Sequence, residues 1–250
     1  MKIAIVTGAS SGMGREFVIQ MSEKLSYLDE IWVIARRRER LLELSKQINI
    51  KTRIFDINLC NKDEKELIIA ALSNIKPKVC MLVNCAGFGY LSDFMDADKE
   101  KWSQMINLNC VALTELTHEV IPFMPSNARI INLASSAAFL PQAGFAVYAA
   151  GKSYVLSFSR ALNKELKPRN ISVTAVCPGP VDTEFFETAD PGNNMMFIKK
   201  LFIANPGKVV ALALKDAQNR KEMSVYGPGM KIFLVLTKVL PHGLIFKFIP

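Results

Sequence analysis

Tyr148 and Lys152 are four residues apart in a segment with helical periodicity, which places them on one face, one turn from each other. An ammonium group there favours the ionised phenol. The pKa of tyrosine is near 10 in water, and lowering it to neutrality requires roughly 4 kcal/mol of differential stabilisation. Ser135 stands thirteen residues before the tyrosine, at the end of a predicted strand. Together the three residues would supply an acid and an electrophilic stabiliser around one carbonyl oxygen.

A glycine-rich stretch, "TGASSGMG" from Thr7 to Gly14, directly follows the first predicted strand. Part of it reads G-x-S-x-G, the turn that exposes a nucleophilic serine in one class of hydrolases. Ser10, however, follows the first strand, so no earlier loop can supply an oxyanion donor. His118 and His242 are the available bases, and neither is placed by its surroundings for that role. The sequence therefore argues against a serine hydrolase.

The same stretch also differs from a G-x-x-x-x-G-K-[ST] phosphate loop, because Met13 stands where that motif has its second glycine and no lysine follows. A dinucleotide-binding loop accounts for all three of Gly8, Gly12 and Gly14. They provide a tight turn, close approach of the backbone to phosphate, and tight packing of the helix start. The strand, loop and helix order strengthens this interpretation.

The elements that must position these residues alternate along the chain. Strands are predicted at Lys2–Thr7, Ile31–Ala35, Thr52–Phe55, Val79–Asn84, Arg129–Ala134, Ile171–Val176 and near Met223–Tyr226, and helices at Met13–Leu25, Arg38–Ile48, Lys62–Ile75, Lys99–Phe123, Tyr148–Leu166 and Gly207–Ala217. Strands that are apolar on both faces and alternate with helices predict a doubly wound α/β parallel sheet. We expect a single Rossmann-like domain over residues 1–229, with the ligand site after the strand ends.

Composition narrows the function classes. The chain has 250 residues, half of them apolar, and a net charge of +8. Its basic residues are spread out, so we expect no nucleic-acid partner. The five cysteines form no C-x-x-C pair and stand among apolar neighbours, which predicts reduced core thiols and no metal site. The start of the chain leads directly into a strand and does not read as a secretory signal, so we expect a cytoplasmic protein.

Four motifs in order resemble the short-chain dehydrogenase/reductase family across nearly the whole chain. They are "TGASSGMG", "NCAG" at Asn84 to Gly87, Tyr148-x-x-x-Lys152 with Ser135, and "PGPVDT" at Pro178 to Thr183. The second motif departs from the more usual N-N-A-G by Cys85. The resemblance implies that Tyr148 protonates the substrate oxygen as hydride arrives from a nicotinamide, and that Lys152 also holds the nicotinamide ribose. It further implies that Asn109, rather than Asn107, distorts its helix and positions a water.

The resemblance and the loop together predict the cofactor-binding residues. These are Gly8, Ser10, Ser11, Gly12, Met13, Gly14, Arg36, Arg37, Asp56, Ile57, Asn84, Ala86, Gly87, Tyr148, Lys152, Pro178, Gly179, Val181 and Thr183. At the end of the second strand stands Ala35-Arg36-Arg37, with no acid, since Asp29 and Glu30 precede the strand. Arginine at this turn accommodates the extra phosphate of NADP, whereas a carboxylate accepts the ribose hydroxyls of NAD. We therefore expect NADP(H), with NAD less favoured.

The segment after "PGPVDT" is rich in apolar side chains and would shape the substrate pocket. Phe139, Phe145, Phe185 and Phe186 are the candidate lining residues, with Met195, Met196 and Phe197 nearby. They favour a small hydrophobic ketone or 3-oxoacyl compound and its alcohol. Packing of some of these side chains within the lid itself is the alternative. A catalytically silent dinucleotide sensor or scaffold of the same fold also stays open, although such a protein has no need of Tyr148.

The tail, residues 230–250, is apolar and interrupted by Lys231, Lys238, Lys247 and Pro241, so it is too broken to span a membrane. A helix from Met230 to Leu240 would carry one narrow polar stripe. Its apolar surface would be covered by the substrate pocket, by a second copy in a homodimer or other homo-oligomer, or by a membrane interface at the periphery.

Overall fold

Seven parallel strands form a single sheet in the order β3-β2-β1-β4-β5-β6-β7. The strands are β1 Lys2–Thr7, β2 Glu30–Ile34, β3 Lys51–Phe55, β4 Lys78–Asn84, β5 Arg129–Leu133, β6 Ser172–Val176 and β7 Met223–Ser224. This computed structural model describes residues 1–185, 189 and 203–241. The predicted doubly wound α/β fold, a single Rossmann-like domain, is confirmed.

Helices cover both faces of the sheet. In the described part of the chain they are α1 Gly12–Lys24, α2 Arg38–Gln47, α3 Lys62–Ile75, α4 Lys99–Ile106, α5 Leu113–Val120, α6 Ala146–Glu165, α7 Pro206–Gln218 and α8 Pro228–Val239. One core cluster joins α1, α2 and α7 to one face, which includes Ala4 and Val6. The other joins α3, α5 and α6 to the opposite face, which includes Ile3 and Ile5. Alternating residues of a strand thus enter opposite cores, which explains the continuous apolar runs.

Strand order reverses between β1 and β4, and this edge of the sheet holds the candidate site. Thr7 and Asn84, the last residues of these strands, are paired in the parallel register. The Thr7 hydroxyl accepts hydrogen bonds from the amides of Cys85 and Ala86, both at 3.0 Å. These bonds fix the "NCAG" turn against the start of the glycine loop, at the position where doubly wound sheets bind ligands.

Two sequence predictions need correction. The helix predicted over Lys99–Phe123 is divided by a π-helical segment at Asn107–Ala112, and its end, Ile121–Phe123, is a 3₁₀ turn. Glu30 does not precede β2 but is its first residue, and it is fully buried because Arg53 and Lys51 pair with it at 2.8 and 3.4 Å.

The cysteines also differ from the expectation of five core thiols. Cys85, Cys110 and Cys177 are buried, whereas Cys60 is exposed and Cys80 is partly buried, and all five are unpaired. Cys60 lies in the turn before α3, where the chain runs over the surface, so its apolar sequence neighbours do not enclose it.

The tail forms α8, which packs against the domain with one side only. Phe233 lies 6.2 Å from Phe139, ring centre to ring centre, and Met230 covers Gly179. Ile232, Val235 and Val239 on the other side are 58 to 74% exposed. Within the described residues, no helix has both the length and the apolar character that a bilayer span requires. Residues 242–250 lie outside the described part of the chain.

Candidate active site

The glycine loop makes a tight turn from β1 into α1. Gly8 has a φ of +69°, and a Cβ there would lie 2.9 Å from the Cα of Ala86. A Cβ on Gly14 would collide with the carbonyl oxygen of Gly8. Only glycine therefore fits either position. Ser11 precedes the first turn of α1 at Gly12, where backbone amides favour an anion. Met13 is partly buried and packs against the core.

An arginine side chain lies across this loop. The guanidinium of Arg37 donates to the Ser10 hydroxyl at 3.1 and 3.2 Å and to the Ser11 hydroxyl at 2.6 Å. Arg36 is exposed. Arg38, the next residue, pairs with Asp56 at 2.9 Å, and this hydrogen bond lowers the pKa of the Asp56 carboxyl. Ile57 is buried beside it.

Sequence reasoning missed an acid at this turn. Glu184 pairs with Arg37 at 2.8 Å and with Arg40, although it stands 147 positions after Arg37 in the sequence. The absence of an acid next to the second strand therefore did not mean the absence of a carboxylate in space. The available signal was the position of Glu184 directly after "PGPVDT", a segment that the predicted fold brings to the same edge.

The "NCAG" turn is held from the opposite side by the π-helical segment. Asn109, which is buried, accepts a 3.0 Å hydrogen bond from the Phe88 amide and donates a 2.8 Å bond to the Phe88 carbonyl. A Cβ on Gly87 would lie 2.8 Å from the Asn109 side-chain oxygen. The Asn84 side chain donates to Thr117 and Asn132, both at 2.9 Å. The turn is thus fixed by buried polar groups, with Asn109 rather than the exposed Asn107 facing it.

Ser135, Tyr148 and Lys152 converge beyond the end of β5. Tyr148 and Lys152 lie one turn apart on α6, with the Lys152 Nζ 5.6 Å from the centre of the tyrosine ring. The same Nζ donates a 2.7 Å hydrogen bond to the carbonyl of Leu133, the last residue of β5. Ser135 stands two residues after Leu133, and its hydroxyl accepts a hydrogen bond from the Ala137 amide at 3.1 Å.

Burial dominates the ionisation of this group. It raises the pKa of Tyr148 above its ordinary value, and a hydrogen bond with Ser135 offsets only part of that effect. Burial also lowers the pKa of Lys152 to about 8. Because burial is the larger effect, the phenol keeps its proton at neutral pH.

The "PGPVDT" segment joins the two halves of the site. The Pro178 carbonyl accepts a 2.8 Å bond from the Ser136 amide, and Val181 is buried and bridges to Ala204. A Cβ on Gly179 would lie 2.7 Å from the sulfur of Met230. The Thr183 side chain would lie 3.3 Å from a Cβ on Gly12. The end of this segment therefore contacts the glycine loop, and its start contacts the tail helix α8.

The predicted apolar pocket is built in part around the tyrosine. Phe145 stacks on Tyr148 at 4.2 Å between ring centres, and Phe185 lies 5.5 Å from it on a tilted plane. Phe139 belongs to a different cluster, where it contacts Phe233 of α8. Phe186, Met195, Met196 and Phe197 lie outside the described residues.

The residues present fit a nicotinamide dinucleotide. The loop offers glycines that no side chain could replace, the amides of a helix start, and arginine donors over Ser10 and Ser11. The acid Tyr148, the hydroxyl donor Ser135 and the ammonium of Lys152 lie beyond the end of β5. Among the described residues, no three His, Cys, Asp or Glu side chains meet as a metal site would require.

Fold and site together define an oxidoreductase that uses a nicotinamide dinucleotide. The family model described as short chain dehydrogenase matches residues 2–194, and the chain belongs to that family. An uncharacterized oxidoreductase from Staphylococcus epidermidis is 31% identical over 215 residues, covering 85% of this chain and 90% of its own.

Solved structures give the same architecture. A short chain dehydrogenase/reductase from Burkholderia phymatum in complex with NAD has a TM-score of 0.81 at 20% identity, over 100% of this chain and 95% of its own. A short-chain dehydrogenase from Sphingobium yanoikuyae in complex with NADPH has a TM-score of 0.77 at 24% identity, over 98% and 96%. At these identities the likeness establishes the fold alone. The neighbours hold both kinds of cofactor.

Proposed function

We propose that the protein is an NADP(H)-dependent reductase that interconverts a hydrophobic ketone or 3-oxoacyl compound and its secondary alcohol. The observation that carries this proposal is the convergence of Ser135, Tyr148 and Lys152 at the carboxyl edge of the sheet, beside the glycine loop. When bound, the nicotinamide supplies or accepts the hydride.

Tyr148 is the proposed acid in the reducing direction. Its raised pKa keeps the phenol protonated at neutral pH, so the Oη atom has a proton to give to the substrate oxygen. Ser135, hydrogen-bonded with the phenol, is placed to donate to the same oxygen and to stabilise the charge that develops on it. In the reverse direction the same pair would accept the proton.

Lys152 and Asn109 are proposed to act around the tyrosine. The ammonium of Lys152 is fixed by Leu133 and sits close enough to the ring to favour the phenolate electrostatically. It would also bind the nicotinamide ribose. Asn109 holds the Phe88 backbone and is placed beside Gly87, where it would position a water that returns the proton.

The preference for NADP(H) rests on Arg37 in particular. Its guanidinium lies over Ser10 and Ser11, where it can pair with the 2′-phosphate. Arg36 would contribute at longer range, and Asp56 and Ile57 would contact the adenine. Gly8, Gly12, Met13 and Gly14 would hold the diphosphate. Asn84, Ala86, Gly87 and the segment Pro178, Gly179, Val181 and Thr183 would complete the cofactor cradle.

The substrate class follows from the aromatic rings around the acid. Phe145 stacks on Tyr148 and Phe185 lies against it, so a substrate carbonyl that reaches the phenol meets apolar surface. Such a pocket favours an aliphatic or aromatic ketone over a sugar. We propose Phe139 and Phe186 as further lining residues, the first by way of its contact with α8.

We also propose a homo-oligomer in which the exposed side of α8 is covered. Three aliphatic side chains there, Ile232, Val235 and Val239, are more than half exposed, and such a stripe favours burial. Peripheral membrane contact is the alternative occupant. The five unpaired cysteines are consistent with a reducing, cytoplasmic compartment.

The test is oxidation of NADPH, followed at the nicotinamide absorbance band, across a panel of ketones, 3-oxoacyl thioesters and sugars. We expect turnover with hydrophobic ketones and little with sugars. Binding of NADPH with no turnover across the whole panel would favour the silent sensor or scaffold instead.

A further inference from the structure

A cluster of charged and hydroxyl groups joins three distant parts of the chain at the turn after β2. It consists of Ser10, Ser11, Arg37, Arg40 and Glu184, and we name it the arginine clasp. Glu184 pairs with both arginines, and Arg37 donates to both serine hydroxyls. The carboxylate therefore binds the same guanidinium that lies over the phosphate loop.

The ion pairs that hold the Glu184 carboxylate at Arg37 and Arg40 are weak. The side chains of Arg37, Arg40 and Glu184 are 42, 43 and 41% exposed, and ion pairs in contact with water contribute little stability. Hydrogen bonds from the two arginines lower the pKa of Glu184, so it stays ionised at neutral pH. A phosphate monoester carries more charge and accepts more hydrogen bonds, so it can replace the carboxylate.

We propose that Glu184 is a specificity-determining residue whose carboxylate competes with the 2′-phosphate of NADP(H) for the guanidinium of Arg37. This inference rests on the proposed role of Arg37 in the cofactor site. Only the phosphorylated cofactor has to displace the carboxylate, so Glu184 narrows the preference for NADP(H) over NAD(H). The native protein thus discriminates less than its arginines alone would.

The position of Glu184 in the chain fixes it at this place. Thr183 before it lies against Gly12, and Phe185 after it lies against the ring of Tyr148. Both neighbours are anchored, so the carboxylate is held at the turn after β2. By contrast, the adjacent pair Arg38 and Asp56 links the start of α2 to the end of β3, and the 2.9 Å bond of this pair does not include a loop serine.

The experiment is the dissociation constant of NADP⁺ and of NAD⁺, measured by titration calorimetry on the native protein and on Glu184→Gln. We expect the ratio of the NAD⁺ constant to the NADP⁺ constant to rise about three- to tenfold, mainly through tighter binding of NADP⁺. The matched control is Glu222→Gln, which removes a similarly exposed carboxylate paired with Arg160 at 3.2 Å, and the ratio should stay within twofold.

A double variant tests whether the effect of Glu184 depends on Arg37. In an Arg37→Gln background, Glu184→Gln should change the ratio less than twofold, because the contested guanidinium is gone. Equal tightening of both cofactors by Glu184→Gln would mean simple repulsion of the diphosphate and would overturn the proposal, as would an unchanged ratio. If the native protein itself binds NAD⁺ more tightly, the proposed NADP(H) preference fails, while the change in ratio still decides the role of Glu184.

Discussion

The Nζ of Lys152 lies 5.6 Å from the centre of the Tyr148 ring, one helical turn along α6. Both groups are buried, and burial acts on them in opposite directions, raising the pKa of the phenol and lowering that of the ammonium. Both shifts favour the neutral form of each group. A site in this state holds a proton on the tyrosine, as a reductase requires.

The buried ammonium of Lys152 predicts a pH-dependent stability. Its pKa is about 8 in the folded protein and near 10.4 when unfolded, so between these values the unfolded chain binds more protons. The free energy of unfolding therefore rises as the pH increases from about 8 to about 10.4, and the gain is lost again as the pH falls back to 8. Relative to Lys152→Met, the native protein should gain about 2 kcal/mol between pH 8 and pH 10. Urea denaturation at both pH values measures this, and parallel curves for the two proteins would refute it.

Arg37 is predicted to carry most of the affinity for the 2′-phosphate. Arg37→Ala should weaken NADPH at least about tenfold and NADH less than about threefold, because it removes a charge-assisted contact made only by the phosphate. Arg36→Ala should have a smaller effect. Fluorescence titration with both cofactors measures this, with Arg160→Ala as a remote arginine control. Equal loss of both cofactors in Arg37→Ala is the contrary result.

Asn109 should matter for both stability and turnover. Asn109→Ala leaves the part-buried amide and carbonyl of Phe88 without their side-chain partner, at a cost of about 1 kcal/mol per lost hydrogen bond. The turnover number should fall more than the KM for the cofactor changes. Asn107→Ala, two residues away and exposed, should alter the free energy of unfolding by less than about 0.5 kcal/mol. If both variants behave alike, the assignment of Asn109 is wrong.

The packing of α8 on the domain gives a further prediction. Phe233→Ala should cost about 1–3 kcal/mol of stability and raise the KM of a ketone substrate, because Phe233 contacts Phe139 near the site. Leu67→Ala, at a 58% exposed position on α3 and outside the proposed oligomer surface, is the control and should change neither quantity appreciably.

Deleting residues from Lys231 onward extends this test to the whole tail. Loss of solubility, oligomer or substrate affinity would indicate burial on the domain or in a homo-oligomer, and loss of liposome binding would indicate a membrane contact. Sedimentation velocity, liposome co-sedimentation and KM separate these outcomes. An equally soluble and active protein with unchanged assembly would contradict both interpretations.

Most of the fold was predictable because the strands are continuously apolar and the helices periodic. β1, for example, was predicted at its observed bounds. The start of β2 was predicted one residue late, because two basic side chains pair with Glu30 and allow this carboxylate to lie inside the strand. The division of the helix at Asn107–Ala112 could not come from periodicity, since it depends on the bonds of Asn109 to a distant loop. Only the family resemblance pointed to it.

The site was predictable where one motif follows one strand, and less so where distant segments meet. Gly8, Tyr148 and Lys152 stand where their motifs placed them. Glu184 escaped because an ion pair across 147 positions leaves no local pattern. The effect of burial on the pKa of Tyr148 could not be predicted for a similar reason, since spacing reveals the nearby ammonium but not the rings of Phe145 and Phe185 that pack on the tyrosine.

The most direct test of the account is the rate of NADPH oxidation by Tyr148→Phe with a hydrophobic ketone that the native protein reduces, together with the dissociation constant of NADPH for both proteins. The phenylalanine ring keeps the packing and loses only the proton donor. We predict that the rate falls more than tenfold, a loss above about 1.4 kcal/mol of transition-state stabilisation, while the dissociation constant changes less than about threefold. A variant that keeps more than a tenth of the native rate would contradict the assignment of Tyr148 as the acid.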